Sequence, residues 1–446
     1  MELSTLLDKQ FIDTIDRAET TVGVEIELPI IPFTPGRVAE NLSEIVCEKL
    51  KTMGFAPVKF TNSGKICELS DGNENSVSYE TSWNTLEFSL HNKKDILSLF
   101  KKYIEILVPL QKLLMEHGYF LCGRGINPNY MQMDPAPLDT DILLAKSDFL
   151  AKYTEHHDGE IFHALCASVQ THLDALDKQS FLKMLSLLRK AYICDALFFA
   201  NSLAPDEAFS RIHPALDKLE RDTVCYRDEI WKYCGAPNTS FTSIKLETID
   251  DYRRYLRGLK LFVIVRNGKF EAMQPVSPEN YCSENAWDEE MLTCFRALEP
   301  VAPTKRGTVE IRSTCVQPLD AMFEPAAFYT GLVSEAIDAE KLMDELYEKH
   351  FPGLTPPQIR DILMRRSSAE KRRELKSFGK KLIELSIRGL EKRGYGEEGF
   401  LYPLLERLEN NGWRVPAECT TDDALEDTKQ QMKNIEKSNG AKSIGK

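Results

Sequence analysis

The stretch "VGVEIELPI", residues 22–30, sets two glutamates on an otherwise apolar run. Its apolar residues at alternate positions are Val22, Val24, Ile26 and Leu28. This alternation has the period of a β-strand with one buried face. Glu25 and Glu27 therefore point to the opposite face, with Cα atoms about 6.5–7 Å apart. Two like charges held so close are typical either of a solvated sheet face or of a bound cation.

The same alternation recurs in three later stretches, each with polar residues on one face. These are "NTLEFSL" (84–90) with Glu87, "ASVQTHLDA" (167–175) with Gln170 and His172, and "GTVEIRS" (307–313) with Glu310 and Arg312. Each stretch alone is typical of a half-exposed antiparallel strand, and a lone histidine is more often structural than a ligand. If the four strands share one curved antiparallel sheet, however, their polar faces converge on a concavity rich in oxygen ligands.

Carboxylate and amide oxygens suit hard cations such as Mg²⁺ or Mn²⁺, which also take phosphate oxygens as ligands. A single arginine among the acids, Arg312, suggests an anion bound beside the metals, because a guanidinium group matches phosphate bidentately. The glycine-rich nucleotide loops of other folds are missing: there is no GxxxxGK[ST], and "CGRGINPN" has Pro128 where a GxGxxG loop needs its last glycine.

Composition limits the class of protein. The chain has 446 residues, 42% hydrophobic and 28% charged, as in an ordinary globular protein. Its net charge of −13 argues against general binding to nucleic acid or anionic lipid, because both need an excess of Lys and Arg. The eleven cysteines include no CxxC pair, which argues against zinc. Without a signal-peptide pattern or a long apolar span, we expect a cytoplasmic protein with reduced thiols.

The pattern of elements indicates an α+β fold. Residues 37–54 and 94–117 have the helical period, 142–199 is mostly helical apart from "ASVQTHLDA", and Asn267-Gly268 predicts a hairpin with a type I′ turn. Strand patterns end near residue 325. We predict a catalytic domain over 1–324, a helical C-terminal region packed on it over 325–416, and a polar tail, or at most a loose helix, over 417–446.

Six motifs in this order resemble the glutamate–cysteine ligase (γ-glutamylcysteine synthetase) family, which has the glutamine synthetase-like fold. They are "VGVEIE", "YETSWNTLEFSL", "LCGRGINPN", "CASVQTHLDA", "ALFFANSLAPDEAFSR", and "GTVEIRSTCVQP" followed by "PAAFYTGL". The helical end, with "RGL" and "LYPLLERLENNG", is similar too, so the likeness covers about residues 20–415. It implies a curved antiparallel sheet that lines an active-site funnel, with helices packed outside.

The resemblance also implies an activity: ATP-dependent joining of the γ-carboxylate of glutamate to the amine of cysteine through a γ-glutamyl phosphate. Two or three Mg²⁺ or Mn²⁺ ions would be bound at Glu25, Glu27, Glu80, Glu87, Gln170 and Glu310. Arg312, Arg211 and Arg221 fall where ATP phosphates or substrate are held, and His172 would help by positioning. Cys315 stands where the family usually has an aspartate.

Two other functions stay open at this point. Cys315 allows a ligase with the same glutamyl donor but another amine, or a carrier-bound one, as acceptor. A catalytically inactive ATP-binding relative is the other alternative, although every proposed metal position retains an oxygen ligand. In each case the expected partners are small molecules, and neither nucleic acid nor a membrane is expected.

Overall fold

The computed structural model of the protein describes residues 3–155, 164–204, 219–242, 244–285, 294–411 and 420–442. Its strands, labelled in chain order, are β1 (Val22–Pro32), β2 (Ala56–Phe60), β3 (Ile66–Ser70), β4 (Ser76–Tyr79), β5 (Thr85–Lys93), β6 (Tyr119–Leu121), β7 (Val169–Asp174), β8 (Leu261–Arg266), β9 (Lys269–Val276), β10 (Val301–Pro303) and β11 (Thr308–Ile311).

Nine of these strands form one sheet in the order β10-β11-β7-β1-β5-β4-β3-β2, with β6 paired to the far end of β1. All of its strand pairings are antiparallel. The four strands with alternating acids, β11, β7, β1 and β5, are therefore consecutive neighbours. Strands β8 and β9 form a separate hairpin, and Asn267 and Gly268 at its turn both have positive φ, as a type I′ turn requires.

Helices account for much of the remaining described chain. They span Leu3–Leu7, Leu42–Thr52, Ile96–Glu116, Asp141–Tyr153, Lys178–Ala191, Cys194–Phe198, Tyr226–Cys234, Ile249–Gly258, Pro278–Cys282, Glu324–Ser334, Ala336–His350, Pro356–Leu363, Ala369–Glu374, Lys376–Arg393, Tyr402–Asn411 and Thr421–Lys442. A π-helical turn covers Asp8–Ile12, and 3₁₀ turns cover Arg366–Ser368 and Glu397–Phe400. No helix among the described residues is both long and apolar enough to cross a bilayer.

The predicted strand parity, meaning which alternate residues of each strand face the core, is confirmed at every apolar position of the four strands. The apolar residues of the four strands are at most 3% exposed, namely Val22, Val24, Ile26, Leu28, Leu86, Phe88, Leu90, Val169, Leu173, Val309 and Ile311. They pack into the main core, where the helices Ile96–Glu116, Lys178–Ala191 and Glu324–Ser334 contact the sheet. The opposite face of the sheet is left for the polar side chains.

The helical region after residue 325 packs directly on the sheet. Helix Glu324–Ser334 contacts both β1 and β7, and on its other side it crosses helix Lys376–Arg393. The two helices approach so closely that a Cβ at Gly331 would lie 2.1 Å from the Ser386 carbonyl oxygen, and one at Gly389 would lie 2.1 Å from the Gly331 carbonyl oxygen. Glycine is therefore required at both positions of this crossing.

The segment predicted as a polar tail or a loose helix contains a helix, Thr421–Lys442, and this helix is packed rather than loose. Its side chains Ala424, Thr428 and Ile435 are at most 2% exposed. Asp427 pairs with Arg124, and the side chain of Gln431 accepts a hydrogen bond from the Leu319 N–H at 3.0 Å. A few buried residues and polar contacts to distant segments stabilise this helix. Because its buried residues form no continuous apolar stripe, the sequence pattern did not reveal the packing.

Strand parity can be tested in β11, where Ile311 faces the core and Glu310 faces the polar side. We expect Ile311→Asp to leave little folded protein, because an unpaired carboxylate in the core costs on the order of 4 kcal/mol. Glu310→Gln keeps the shape of the side chain and should fold normally. Thermal melts of the two purified variants check this, and a well-folded Ile311→Asp beside an unfolded Glu310→Gln would show the strand to be reversed.

Candidate active site

The polar face of the sheet borders a cavity of about 1280 Å³. The acidic and amide side chains from the predicted set that line it are Glu25, Glu27, Glu80, Glu87 and Gln170. Basic side chains line it too, namely Arg17, Lys59, Lys146, Arg227, Arg296, Arg306 and Arg312. This mixture of acids and bases provides ligands for cations and for anions within one cavity.

One cluster of possible metal ligands comes from three adjacent strands. Glu25 on β1, His172 on β7 and Glu310 on β11 each offer a ligand atom, and these atoms lie within 4.8 Å of one another. The strand register accounts for this proximity, because Glu310 lies directly opposite His172. Nε2 of His172 is 3.4 Å from Oε1 of Glu25, while Nδ1 is 3.3 Å from the Thr308 hydroxyl, which can orient the ring.

A second cluster consists of Glu27, Glu80 and Glu87, whose ligand atoms also lie within 4.8 Å of one another. Glu27 and Glu87 are direct cross-strand partners on β1 and β5, and Glu80 lies in the turn between β4 and β5. Two neighbours on the β7 side donate to the Glu27 carboxylate: Ser168 to Oε2, through its N–H (2.6 Å) and hydroxyl (2.9 Å), and the Gln170 amide to Oε1 (3.0 Å).

Positive groups compensate the first cluster. Burial alone would raise the pKa of Glu25, but His172, Arg312 and Arg306 lower that pKa to about 2. Burial likewise opposes protonation of His172, yet the charges of Glu25 and Glu310 prevail and raise its pKa. Arg312 additionally pairs with Glu310. The first cluster is therefore close to electrical balance before any ligand binds.

The second cluster is compensated less, although Arg227 and the hydrogen bonds from Ser168 act to lower the pKa of Glu27. Burial and repulsion from Glu80 raise the pKa of Glu27 to about 7. Burial, together with repulsion from Glu80, Glu25 and Glu27, raises the pKa of Glu87 well above its ordinary value. Three carboxylates that repel one another in a partly buried site are a favourable environment for a divalent cation, which would remove the repulsion.

The donor set fits Mg²⁺ or Mn²⁺ because it consists mainly of carboxylate oxygens. His172 would join it only after losing the proton that its raised pKa favours. The five glutamates predicted as ligands fall into the two clusters. Gln170 has a different position: its amide nitrogen donates to Glu27, and its Oε1 is buried without a hydrogen-bond partner among the described residues. His172, predicted to help by positioning, lies where a ligand of the first cluster would be.

The predicted arginines are distributed unequally. Arg312 lines the cavity, whereas Arg221 is not among the residues that line it, and Arg211 lies outside the described residues. A guanidinium group that the sequence reasoning missed, Arg227, is 5% exposed and lines the cavity. Its Nη2 donates to the Arg312 carbonyl oxygen at 3.0 Å, which brings the two arginines together. The signal for it was "RDEIW", which places Arg227 and Trp231 one helical turn apart, and both line the cavity.

Cys315 does not line the cavity. It is 1% exposed and lies in the segment after β11, with Sγ 3.2 Å from the Ser202 hydroxyl. A Cβ at Gly125 would lie 3.1 Å from its Cβ, so the surrounding segment is tightly packed. The hypothesis that Cys315 itself shapes an acceptor pocket therefore has no direct contact to support it.

No family model matches the chain, and no curated protein sequence matches it. Among solved structures, it is similar to glutamate–cysteine ligase from Francisella tularensis, determined in complex with AMP, with a TM-score of 0.54 and 10% identity over 94% of this chain and 89% of that chain. This likeness shows the fold. The predicted fold class, an α+β glutamine synthetase-like architecture with a mostly antiparallel sheet, is confirmed.

Repulsion in the second cluster predicts a dependence of stability on pH in EDTA. An unfolded glutamate has a pKa of about 4.3, whereas burial and repulsion from Glu80 raise the pKa of Glu27 to about 7 in the fold. The folded state therefore binds more protons between these values, and wild-type stability should fall as the pH rises through this window. Glu87→Gln removes a second carboxyl whose pKa is raised by folding, so thermal melts should show a smaller fall.

The matched control is Glu68→Gln, which removes a cavity-lining glutamate that belongs to neither cluster. Its melting temperature should follow that of the wild type at each pH. Saturating Mg²⁺ should raise the melting temperature of the wild type at pH 8 more than that of Glu87→Gln. Identical pH profiles for wild type and Glu87→Gln would contradict the close approach of the three carboxylates.

Proposed function

We propose that the protein is an ATP-dependent carboxylate–amine ligase that activates the γ-carboxylate of glutamate as an acyl phosphate and transfers it to an amine. Cysteine is the first candidate acceptor. The observation that carries this proposal is the pair of three-ligand clusters on one sheet face, with the Arg312 guanidinium group beside them. The solved ligase with the similar fold was determined with AMP, which supports nucleotide binding at a site of this kind.

The charge difference between the clusters suggests an orientation for the substrates. Arg306 and Arg312 lie near the carboxylates of the first cluster, and together with a bound cation they would suit a triphosphate. Near the second cluster, Arg227 interacts with Glu27 and extends along the cavity wall beside Trp231. We assign the triphosphate to the Glu25 side and the amino-acid donor to the Glu27 side, with Arg227 as the partner of a substrate carboxylate.

The chemistry has two steps. The γ-carboxylate oxygen of glutamate attacks the γ-phosphorus of ATP, the bond to the bridging oxygen breaks, and ADP leaves. The acceptor nitrogen then attacks the acyl carbon, inorganic phosphate leaves, and the nitrogen loses a proton as the amide forms. Neither step needs a covalent nucleophile from the protein.

The protein residues act by position and charge. Bound Mg²⁺ would neutralise the triphosphate and stabilise the transferring phosphoryl group. Arg312 adds a preorganised cation, a kind of contact worth about 3–4 kcal/mol in the transition state. The residues assigned to metal binding are Glu25, His172, Glu310, Glu27, Glu80 and Glu87.

One feature of the cavity favours an acceptor larger than cysteine as a second candidate. Helix Asp141–Tyr153 turns one face to the cavity, and strand β8 continues the same apolar wall. The apolar side chains of this wall are Ile142, Leu143, Phe149, Leu150, Phe262 and Val263. The rings of Phe149 and Phe262 are 4.8 Å apart, so the wall is continuous between helix and hairpin. An amine with an apolar body would pack against the half-buried Ile142 and Leu143 of this wall.

The test of the proposed function is ATP-dependent phosphate release with glutamate and a panel of amines that includes cysteine, serine, leucine and phenylalanine. Release with cysteine alone would support the glutamate–cysteine ligase, and release with leucine or phenylalanine would support the larger acceptor. All release should disappear in EDTA. Silence with every amine, together with calorimetric binding of Mg·ATP, would instead identify an inactive ATP-binding relative.

Arg227→Gln and Arg221→Gln distinguish the structural assignment from the sequence prediction. Because Arg227 lines the cavity and Arg221 does not, we expect Arg227→Gln to raise the KM for glutamate at least about tenfold, the loss of one charged hydrogen bond. The KM for ATP should change less. Arg221→Gln should retain wild-type kinetics. The reverse result would restore Arg221 as the substrate-binding residue.

A further inference from the structure

A buried acid–base network lies behind the cavity and joins several helices to the end of β11. Its centre is Asp195, 1% exposed, in helix Cys194–Phe198. The Asp195 carboxylate accepts hydrogen bonds from the Thr314 hydroxyl at 2.8 Å, from the Tyr329 hydroxyl at 2.7 Å and from the Ser313 hydroxyl. Ser313 and Thr314 directly follow Arg312 in the chain, so the carboxylate holds the segment that carries this arginine.

The guanidinium group of Arg360, 3% exposed, holds the same segment from the other side. Its Nη2 donates to the Ser313 carbonyl oxygen at 3.2 Å, and its Nη1 donates to the Tyr192 carbonyl oxygen at 2.6 Å. Nη1 is also 3.5 Å from the Asp195 carboxylate. The planar fork thereby fixes three groups at once, which a lysine could not do.

The network also reaches the second cavity arginine. Nε of Arg360 donates to the carboxylate of Asp228, the residue after Arg227 on helix Tyr226–Cys234. Arg227 in turn donates to the carbonyl oxygen of Arg312. One buried guanidinium group therefore bonds to a neighbour of each arginine that we assign to substrate binding.

Stability alone is a weak reason for such an arrangement. Removing an ion pair from water is costly, and apolar residues of the same volume are often equally stabilising in its place. Neither Asp195 nor Arg360 lines the cavity, so neither can touch a substrate there. What the pair does provide is directional hydrogen bonds to Ser313 and Asp228, the residues that directly follow Arg312 and Arg227 in the chain.

We propose that Asp195 and Arg360 are positioning residues that set the locations of the Arg312 and Arg227 guanidinium groups for the transferring phosphoryl group and the substrate carboxylate. The proposal rests on the proposed function for its catalytic readout. A misplacement of about 1 Å at a reacting centre can cost about a hundredfold in rate, so small losses in this network should be visible in kcat.

The test is the double variant Ser313→Ala/Thr314→Val, which removes both segment hydroxyls from Asp195 while leaving the buried charges paired. We expect kcat to fall about 10- to 100-fold with little loss of thermal stability. Tyr329→Phe is the matched control, because it removes a third hydroxyl from the same carboxylate but belongs to helix Glu324–Ser334. It should also lower thermal stability, but it should lower kcat less than the double variant does. Ser313→Thr/Thr314→Ser keeps both hydroxyls and should restore activity.

Two further measurements decide the outcome. If the segment hydroxyls act through Arg312, adding Ser313→Ala/Thr314→Val to Arg312→Gln should cost nothing more, whereas an equal additional loss would overturn the proposal. Hydrogen exchange of the unliganded protein should be faster over 308–316 in the double variant than in Tyr329→Phe. This readout needs no substrate, so equal exchange in the two variants would overturn the positioning role whether or not the wild type turns over ATP. A wild type that turns over no ATP would count only against the proposed function.

Discussion

The structure depends on holding five carboxylates against their mutual repulsion on one face of a sheet. Two unit charges 4 Å apart repel by about 4 kcal/mol at an effective dielectric constant near 20. The opposite face offsets this cost, because each fully buried Val, Leu, Ile or Phe side chain contributes about 1.5–3 kcal/mol. Ile26 and Phe88, paired across β1 and β5 and fully buried, are the neighbours of Glu25, Glu27 and Glu87 on those strands. The core thus stabilises the geometry that the acids disfavour.

The repulsion between carboxylates is distributed unevenly between the two clusters, and this difference suggests which substrate each cluster binds. The Glu25 cluster is balanced by His172, Arg306 and Arg312, so a cation bound there would need further negative charge, such as a triphosphate, to keep that balance. The Glu27 cluster instead takes up protons, because the pKa of Glu27 is raised to about 7 and that of Glu87 well above its ordinary value, and a divalent cation would displace these protons. The ordering of ligands follows from this: a divalent ion at Glu27 is favoured without nucleotide, and the nucleotide then brings its own metal to Glu25.

The sequence predicted the sheet well, because strand parity is a local property that alternation reveals directly. What it missed depends on register between distant segments. Gln170 and His172 lie on the same face of β7, and only their partners distinguish them: Gln170 is opposite Glu25, whereas His172 is opposite Glu310. Parity alone could not tell which of them approaches two carboxylates at once.

Arg227 was missed for a related reason. It comes from a helix whose position is set by tertiary contacts, so motif resemblance favoured Arg211 and Arg221 nearby in the chain. The C-terminal helix Thr421–Lys442 shows the opposite limit, since its few buried residues and polar anchors lack the apolar stripe that periodicity detects. The sequence therefore predicted structure that depends on the pattern within one segment, but it did not predict contacts between distant segments.

The C-terminal helices, predicted to pack on the catalytic domain, also contact the segment that carries Arg312. Gly331 and Gly389 let helix Lys376–Arg393 approach helix Glu324–Ser334, which carries Tyr329 to the Asp195 carboxylate. Arg360, farther along the same region, reaches the backbone of Ser313. A cation that stabilises a transferring phosphoryl group must be fixed before the reaction begins, because reorganisation would cost part of the energy that it supplies. The helices after residue 325 therefore act as the rigid support from which the cavity arginines obtain their preorganisation.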